Sequence, residues 1–349
     1  MKKRDPYFDV LKFLAMYMVV AWHIMDATSD VRSDLNYSVN FIMAVNMPLF
    51  FAISGYFASG FMCRLTWCDL FNRFIGYFWP IVIFGIARAI LTVLWSAEYT
   101  ILDLPLIVLK NCLFRAWFFY ALAICEAAVF CCNKLGQLNQ SSLKLTWARS
   151  LTKLCLVIPY LVTLCLPEFW YKRGCLNMMP FYLFGLYALP KVLEWESAFR
   201  LEILGFFAFV LYLLGVVFGG NFWQNGMAFY TNHIDIYNLR FVDVEMMWWR
   251  LILGICGIVG VMGVVRVIMK WLPWAENIAP LGMLTLGIYF VHGWFTWLWY
   301  ILVGHSSMLF LAFVGAAFAY GLSFCIVWLS KRNAIVRGII WGFKLNVGD

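Results

Sequence analysis

Residues 9–26 read Asp9-Val-Leu-Lys12-Phe-Leu-Ala-Met-Tyr-Met-Val-Val-Ala-Trp-His23-Ile-Met-Asp26. Apart from Asp9, Lys12, His23 and Asp26 this is one continuous apolar run. As a helix it nearly matches the hydrocarbon core of a bilayer, which takes about 20 residues to cross. A spanning helix satisfies its backbone amides and carbonyls internally, whereas a charge on it is costly unless it faces a cavity or a partner. Lys12 and His23 stand eleven residues apart, which at about 100° per residue returns to the same face, with about 16 Å of axial rise between them. Asp9 lies one turn before Lys12, and Asp26 one turn after His23. The stretch therefore predicts a membrane helix with a polar stripe that lines something polar, Lys12 near the inner surface and His23 in the outer half.

The rest of the chain has the same character. Of its 349 residues 64% are hydrophobic and 13% charged, against about 45–50% and 25% in soluble domains. Mean hydropathy is +0.82. A soluble globule could not hide that much apolar surface. Disordered, collagenous and disulfide-stapled classes are excluded on the same numbers. About ten stretches are apolar enough to span, near 9–26, 40–62, 74–95, 105–132, 151–166, 176–190, 201–219, 246–269, 279–303 and 307–329. The fifth and sixth are short. The start of the fourth, with Lys110 and Arg115, reads as an outer loop or partial helix. No loop is long enough for a soluble domain, so the reading is one all-α, polytopic membrane domain over residues 1–349, with 331–349 as a basic inner tail. The basic N-terminus and first apolar run resemble a signal peptide without a small-x-small cleavage site, so the first helix is expected to be retained.

Charge sets the orientation. With the N-terminus inside, 17 of the 26 Lys and Arg fall in inner loops and six in outer ones, leaving Lys12, Arg88 and Arg250 within spans. The bias predicts N-in, C-in. No contiguous basic face suggests nucleic acid. The eleven cysteines include no CxxC, and no metal site is expected; Cys112 and Cys175 allow at most one outer disulfide. The absence of an internal repeat counts against a transporter. The loop Gly219–Glu245 mixes aromatics with amides and hydroxyls. It suits either a carbohydrate-facing surface or an interfacial aromatic belt.

Within the spans, Pro48 should kink the second helix and free a carbonyl that neighbours must satisfy. Ser54-Gly55 permits close helix approach. Arg73 stands at the inner mouth. Glu126 should face the interior, paired structurally (Arg88 is one candidate) or used in function. Glu245 and Arg250 could pair. His23 can take a proton from a hydroxyl, and Asp26 could fix its tautomer.

Asp9-x-x-Lys12-x(10)-His23, then Met47-Pro-Leu-Phe-Phe-x-x-Ser54-Gly-Tyr56, then Arg73 ahead of Pro80, resemble acyltransferase family 3, and within it the fucose 4-O-acetylase-like branch. Ala116-Trp117-Phe-Phe-Tyr-Ala-Leu, Met179-Pro-Phe-Tyr-Leu-Phe-Gly185 and Leu281-Gly-x-Leu-Thr285-Leu-Gly-Ile-Tyr289-Phe-Val-His292 resemble its later blocks, in order, over residues 5 to about 330. The resemblance implies a ten-helix enzyme of the bacterial inner membrane that moves an acetyl group from cytoplasmic acetyl-CoA to a hydroxyl of a cell-surface or lipid-linked glycan. It implies His23 as the essential histidine, with His292 assisting beside Asp26, the carboxylate that the helix spacing offers. Lys12, Arg64 and Arg73 would meet the CoA phosphates. Asn46, Ser54, Trp117 and Tyr289 would lie at the substrate; of these Asn46, Ser54 and Tyr289, with His292, are unranked candidates for an oxyanion donor. Lys12 stands where many members have arginine, and Asn46 where this branch often has histidine. An amide there can only hydrogen-bond. The rival readings are transfer to an amine, lipid or peptidoglycan precursor, a solute or proton transporter, and a partner-binding scaffold.

Overall fold

The computed structural model describes residues 5–28, 37–95, 98–138, 170–194, 198–219, 233–235, 240–242, 244–305 and 308–342. The chain divides into two compact units, Met1–Gly60 with Pro159–Val327, and Phe61–Ile158 with Trp328–Asp349. Eight helices among the described residues are long and apolar enough to cross a membrane. The expected span at 151–166 lies outside the described residues. The sixth is helical from Trp170 to Glu194 but is not one of the eight; Lys172, Arg173 and Lys191 dilute its apolar character.

In the first unit, helix α1 (Pro6–Thr28) is the buried element. Leu11, Ala15, Met16, Val20, Ala21 and Ile24 are all fully enclosed. A helix that is apolar on nearly every side belongs in an interior. Around it stand α2 (Tyr37–Ser59), α6 (Trp170–Leu183) with its continuation α7 (Leu189–Glu194), α8 (Ala198–Phe218), α9 (Val244–Trp271), α10 (Ala279–Gly282), α11 (Thr285–Val303) and most of α12 (Leu309–Arg332). A π-helical turn, Phe184–Ala188, joins α6 to α7. The aromatic loop before α9 contains a short antiparallel ribbon, β1 (His233–Asp235) against β2 (Arg240–Val242), with Ile234 opposite Phe241. The chain is otherwise helical where described.

Glycines set the closest crossings. A Cβ on Gly55 would stand 2.0 Å from the carbonyl oxygen of Tyr182, and one on Gly185 would stand 1.9 Å from that of Ala52. The expected close approach at Ser54-Gly55 is therefore a reciprocal contact of α2 with the end of α6 and the π-helical turn that follows it. α8 and α9 meet in the same way at Gly205 and Gly263, where each added Cβ would fall 2.6 Å from the other's Cα. Pro48 removes the amide that would have served the Ala44 carbonyl. That oxygen lies against Gly254 of α9, 3.3 Å from where a Cβ would be.

Helix directions follow from the contacts at one end. The Tyr7 hydroxyl donates to the Met262 carbonyl at 2.7 Å, and Phe8 stacks on Tyr56 at 4.6 Å. The start of α1 thus lies beside the end of α2 and the later half of α9, and with the Ala44 carbonyl at Gly254 these two run the same way. The Phe181 ring reaches Gly254 beside the Ala44 carbonyl, and further on Gly185 meets Ala52, so α6 runs in the same direction as α2.

The second unit holds α3 (Trp67–Trp95), α4 (Leu104–Arg115), α5 (Trp117–Leu138) and α13 (Ala334–Trp341). The partial helix expected before the fourth span is α4. It packs on α3 with the Cys112 sulfur set over Gly85, where a Cβ would be only 2.5 Å away. Cys112 carries a free thiol, so it forms no disulfide. Part of the basic tail is α13, which Asn333 caps through the Ile335 and Val336 amides. It docks on α3, where the Trp79 indole donates to the Ile339 carbonyl at 2.8 Å.

Candidate active site

α1 and α11 run side by side. A Cβ on Gly282, just before α11, would touch the Asp9 carbonyl at 1.7 Å. Further along both helices, His23 meets His292, ring centroids 5.1 Å apart and planes tilted by 39°. His292 is buried, and its Nδ1 lies 3.1 Å from the Ile288 carbonyl oxygen one turn back. A carbonyl only accepts, so Nδ1 carries the hydrogen and Nε2 of the neutral ring carries the lone pair. Tyr289 stands 5.8 Å from His292 and Trp22 packs edge-on to His23 at 4.6 Å. Asp26 is exposed at the end of α1, and His292 is set against His23.

At the other end of the stripe Lys12 donates to Asp9 at 3.2 Å and lies over the Phe57 ring at 4.8 Å. Asp9 is buried and Lys12 half-buried. Asn46 is buried too, its side-chain oxygen accepting the Met47 amide at 2.6 Å, which turns its NH2 group away from that amide. Ser54 is half-buried beside the Gly55 crossing.

Arg64, Arg73 and Trp117 belong to the second unit. Arg73 grips buried Glu126 with two nitrogens, Nε at 3.2 Å and Nη2 at 2.6 Å. The Tyr77 hydroxyl accepts from Nη2 and donates to the same Glu126 oxygen, each at 3.1 Å. Phe61 lies under the guanidinium at 4.6 Å. Glu126 therefore pairs with Arg73 and not with Arg88; a fork matching both carboxylate oxygens makes the stronger contact. Arg64 is exposed on a 3-10 turn, and Trp117 is half-buried at the start of α5.

Among the described residues no cluster of three His, Cys, Asp or Glu could hold a metal ion. A family profile described as an acyltransferase domain matches residues 5–332. The chain belongs to this acyltransferase family. No curated protein and no solved structure matches it.

In this membrane acyltransferase, two features of the interior are not read from the sequence: the Arg73–Glu126 fork, and the burial of Asn40 and Asn177 beside that of Arg250, which the sequence does place within a span. A polar residue inside an apolar stretch, the signal that marks Arg250, could have flagged Asn40 and Asn177 as well. The expected Glu245–Arg250 pair involves a side chain outside the described residues.

Proposed function

We propose that this acyltransferase moves an acetyl group from acetyl-CoA to a hydroxyl of a cell-surface or lipid-linked glycan, with His23 as general base. The imidazole pair of His23 and His292 inside a spanning bundle carries the reading. His23 takes the acceptor's proton as the hydroxyl oxygen attacks the thioester carbonyl. The C–S bond then breaks, and the departing thiolate recovers that proton from the imidazolium. His292, with its lone pair on Nε2, accepts the N–H of His23 and fixes its tautomer, the part expected of Asp26. The oxyanion takes hydrogen bonds from the Asn46 NH2 group and the Tyr289 hydroxyl.

Lys12 marks the donor end. Asp9 anchors an ammonium that meets a CoA phosphate, and the pantetheine arm follows α1 over the about 16 Å to His23. Arg64 and Arg73 are further candidates for the CoA phosphates. The rest of the reading is a bacterial inner-membrane protein of ten spans with both ends inside, in the fucose 4-O-acetylase-like branch.

Thiol release from acetyl-CoA by protein in nanodiscs, with and without a crude glycan extract, tests this. Glycan-stimulated release should fall by about 10²–10⁴ in His23→Ala. No release in any sample, together with no acetyl-CoA binding, would overturn the reading.

A further inference from the structure

Asn40, Asn177 and Arg250 have no part in the mechanism above, yet all three are less than one-tenth exposed. They stand on α2, α6 and α9. These helices meet at one point, where the Phe181 ring and the Ala44 carbonyl oxygen both press on Gly254, 2.6 and 3.3 Å from the position of a Cβ. Asn40 precedes Ala44 by four residues, Asn177 precedes Phe181 by four, and Arg250 precedes Gly254 by four. Four residues back is one turn back on the same face. The three helices run in one direction, so on each of them that turn leads the same way. The three polar side chains are thus gathered in one layer, about 6 Å beyond the contact.

The layer lies at the depth of His23. Taking the Tyr7–Met262 and Phe8–Tyr56 contacts as a common level, the axial rise to His23 is about 22–24 Å, to Asn40 about 24 Å, and to Arg250 about 18 Å. These depths agree to within about one helical turn, at the end of the stripe away from Lys12.

A buried cation in a spanning bundle is costly and points to function. A guanidinium has five N–H donors in a rigid fork that matches a carboxylate or phosphate, and it can bond to the protein and to an oxyanion together. Asparagine amides both donate and accept, as sugar hydroxyls require. We propose that Asn40, Asn177 and Arg250 form an acceptor subsite for a saccharide that carries an oxyanion: Arg250 holds the oxyanion and the two amides hold hydroxyls. The identification of the ligand as an acceptor rests on the acetyl-transfer reading.

The test is binding of three soluble probes to the protein in nanodiscs, titrated by saturation-transfer NMR. They are methyl glucoside, methyl glucuronide and methyl glucoside 6-phosphate. Wild type should bind at least one anionic probe about tenfold or more tightly than the neutral one, and whichever binds tighter distinguishes carboxylate from phosphate. Arg250→Gln should abolish that preference, and Arg250→Lys should keep part of it. Asn177→Ala should weaken all three probes alike. No anionic preference in wild type, or an undiminished preference in a folded Arg250→Gln protein, overturns the proposal. The wild-type comparison decides it even if the glutamine variant does not fold. Oxyanion-selective binding that persists while acetyl transfer fails would support the subsite and count against the acetyl-transfer reading alone. Acetyl transfer by a wild type without that selectivity would do the reverse.

Discussion

His292 keeps its Nδ1 hydrogen on the Ile288 carbonyl, 3.1 Å away, so the neutral ring serves His23 as an acceptor. His292→Ala should therefore lower the acetyl-transfer kcat by about 10²-fold, at the lower end of general-base effects, while leaving KM for acetyl-CoA unchanged. A rise in that KM with kcat intact would assign the ring to the donor instead. Glu126 makes a different prediction. Glu126→Gln leaves Arg73 facing a neutral amide in a largely buried fork. Breaking a fully buried pair costs about 3–5 kcal/mol. Arg73 retains 35% side-chain exposure, so about 2–3 kcal/mol is expected here, read as a lowered melting temperature. Arg73→Gln with Glu126→Gln should recover part of the loss; strict additivity would mean that the fork contributes no coupling. The Lys12–His23 stripe was legible in the sequence because it depends only on helical periodicity within one element. The Arg73–Glu126 pair was not, because it joins helices far apart in the chain and no spacing rule connects them; His292 is joined to His23 in the sequence only through the family resemblance. Asp26 looked suitable for His23 by spacing alone, but it ends up exposed where α1 runs out.

At the scale of elements, the bundle of the first unit is organised by places where a side chain is missing. Gly185 faces backbone: an added Cβ would meet the Ala52 carbonyl at 1.9 Å, and neither the π-helical turn nor α2 can yield by moving a side chain. Gly185→Ala should destabilise the protein by about 1–3 kcal/mol or more, the range of overpacking. Gly76 in α3 is the control, since nothing lies within 4 Å of its Cβ position. Gly76→Ala should be neutral or stabilising by up to about 1 kcal/mol, because alanine is the better helix former. Thermal unfolding in nanodiscs followed by intrinsic fluorescence compares the two, and equal effects would remove the close-crossing account. Ser54-Gly55 was readable as a crossing because small residues in a spanning helix have few other uses. Its partner was not, since the π-helical turn around Gly185 is a local departure from the regular helix that hydropathy cannot register.

Over the whole molecule, hydropathy identified each of the eight helices among the described residues that are long and apolar enough to span, because a bilayer selects for length and composition, the two things a sequence displays directly. It could not weigh Trp170–Glu194, which is helical throughout but carries three basic residues. Span number and orientation are coupled there. If 151–166 and Trp170–Glu194 both cross, residues near 172 lie outside and residues near 194 return inside. If neither crosses, both positions stay inside, and the chain ends on the same side as in the ten-span case. The location of the C-terminus thus cannot distinguish eight spans from ten, whereas a reporter between the two segments can. Alkaline phosphatase, active only outside the cytoplasm, should be active when fused after Lys172 and inactive when fused after Glu194. Activity at neither position would reduce the count to eight and keep both ends inside. Activity at Glu194 as well would make the count odd, reverse every later loop, and place the basic residues of α13 on the outer face against the positive-inside bias.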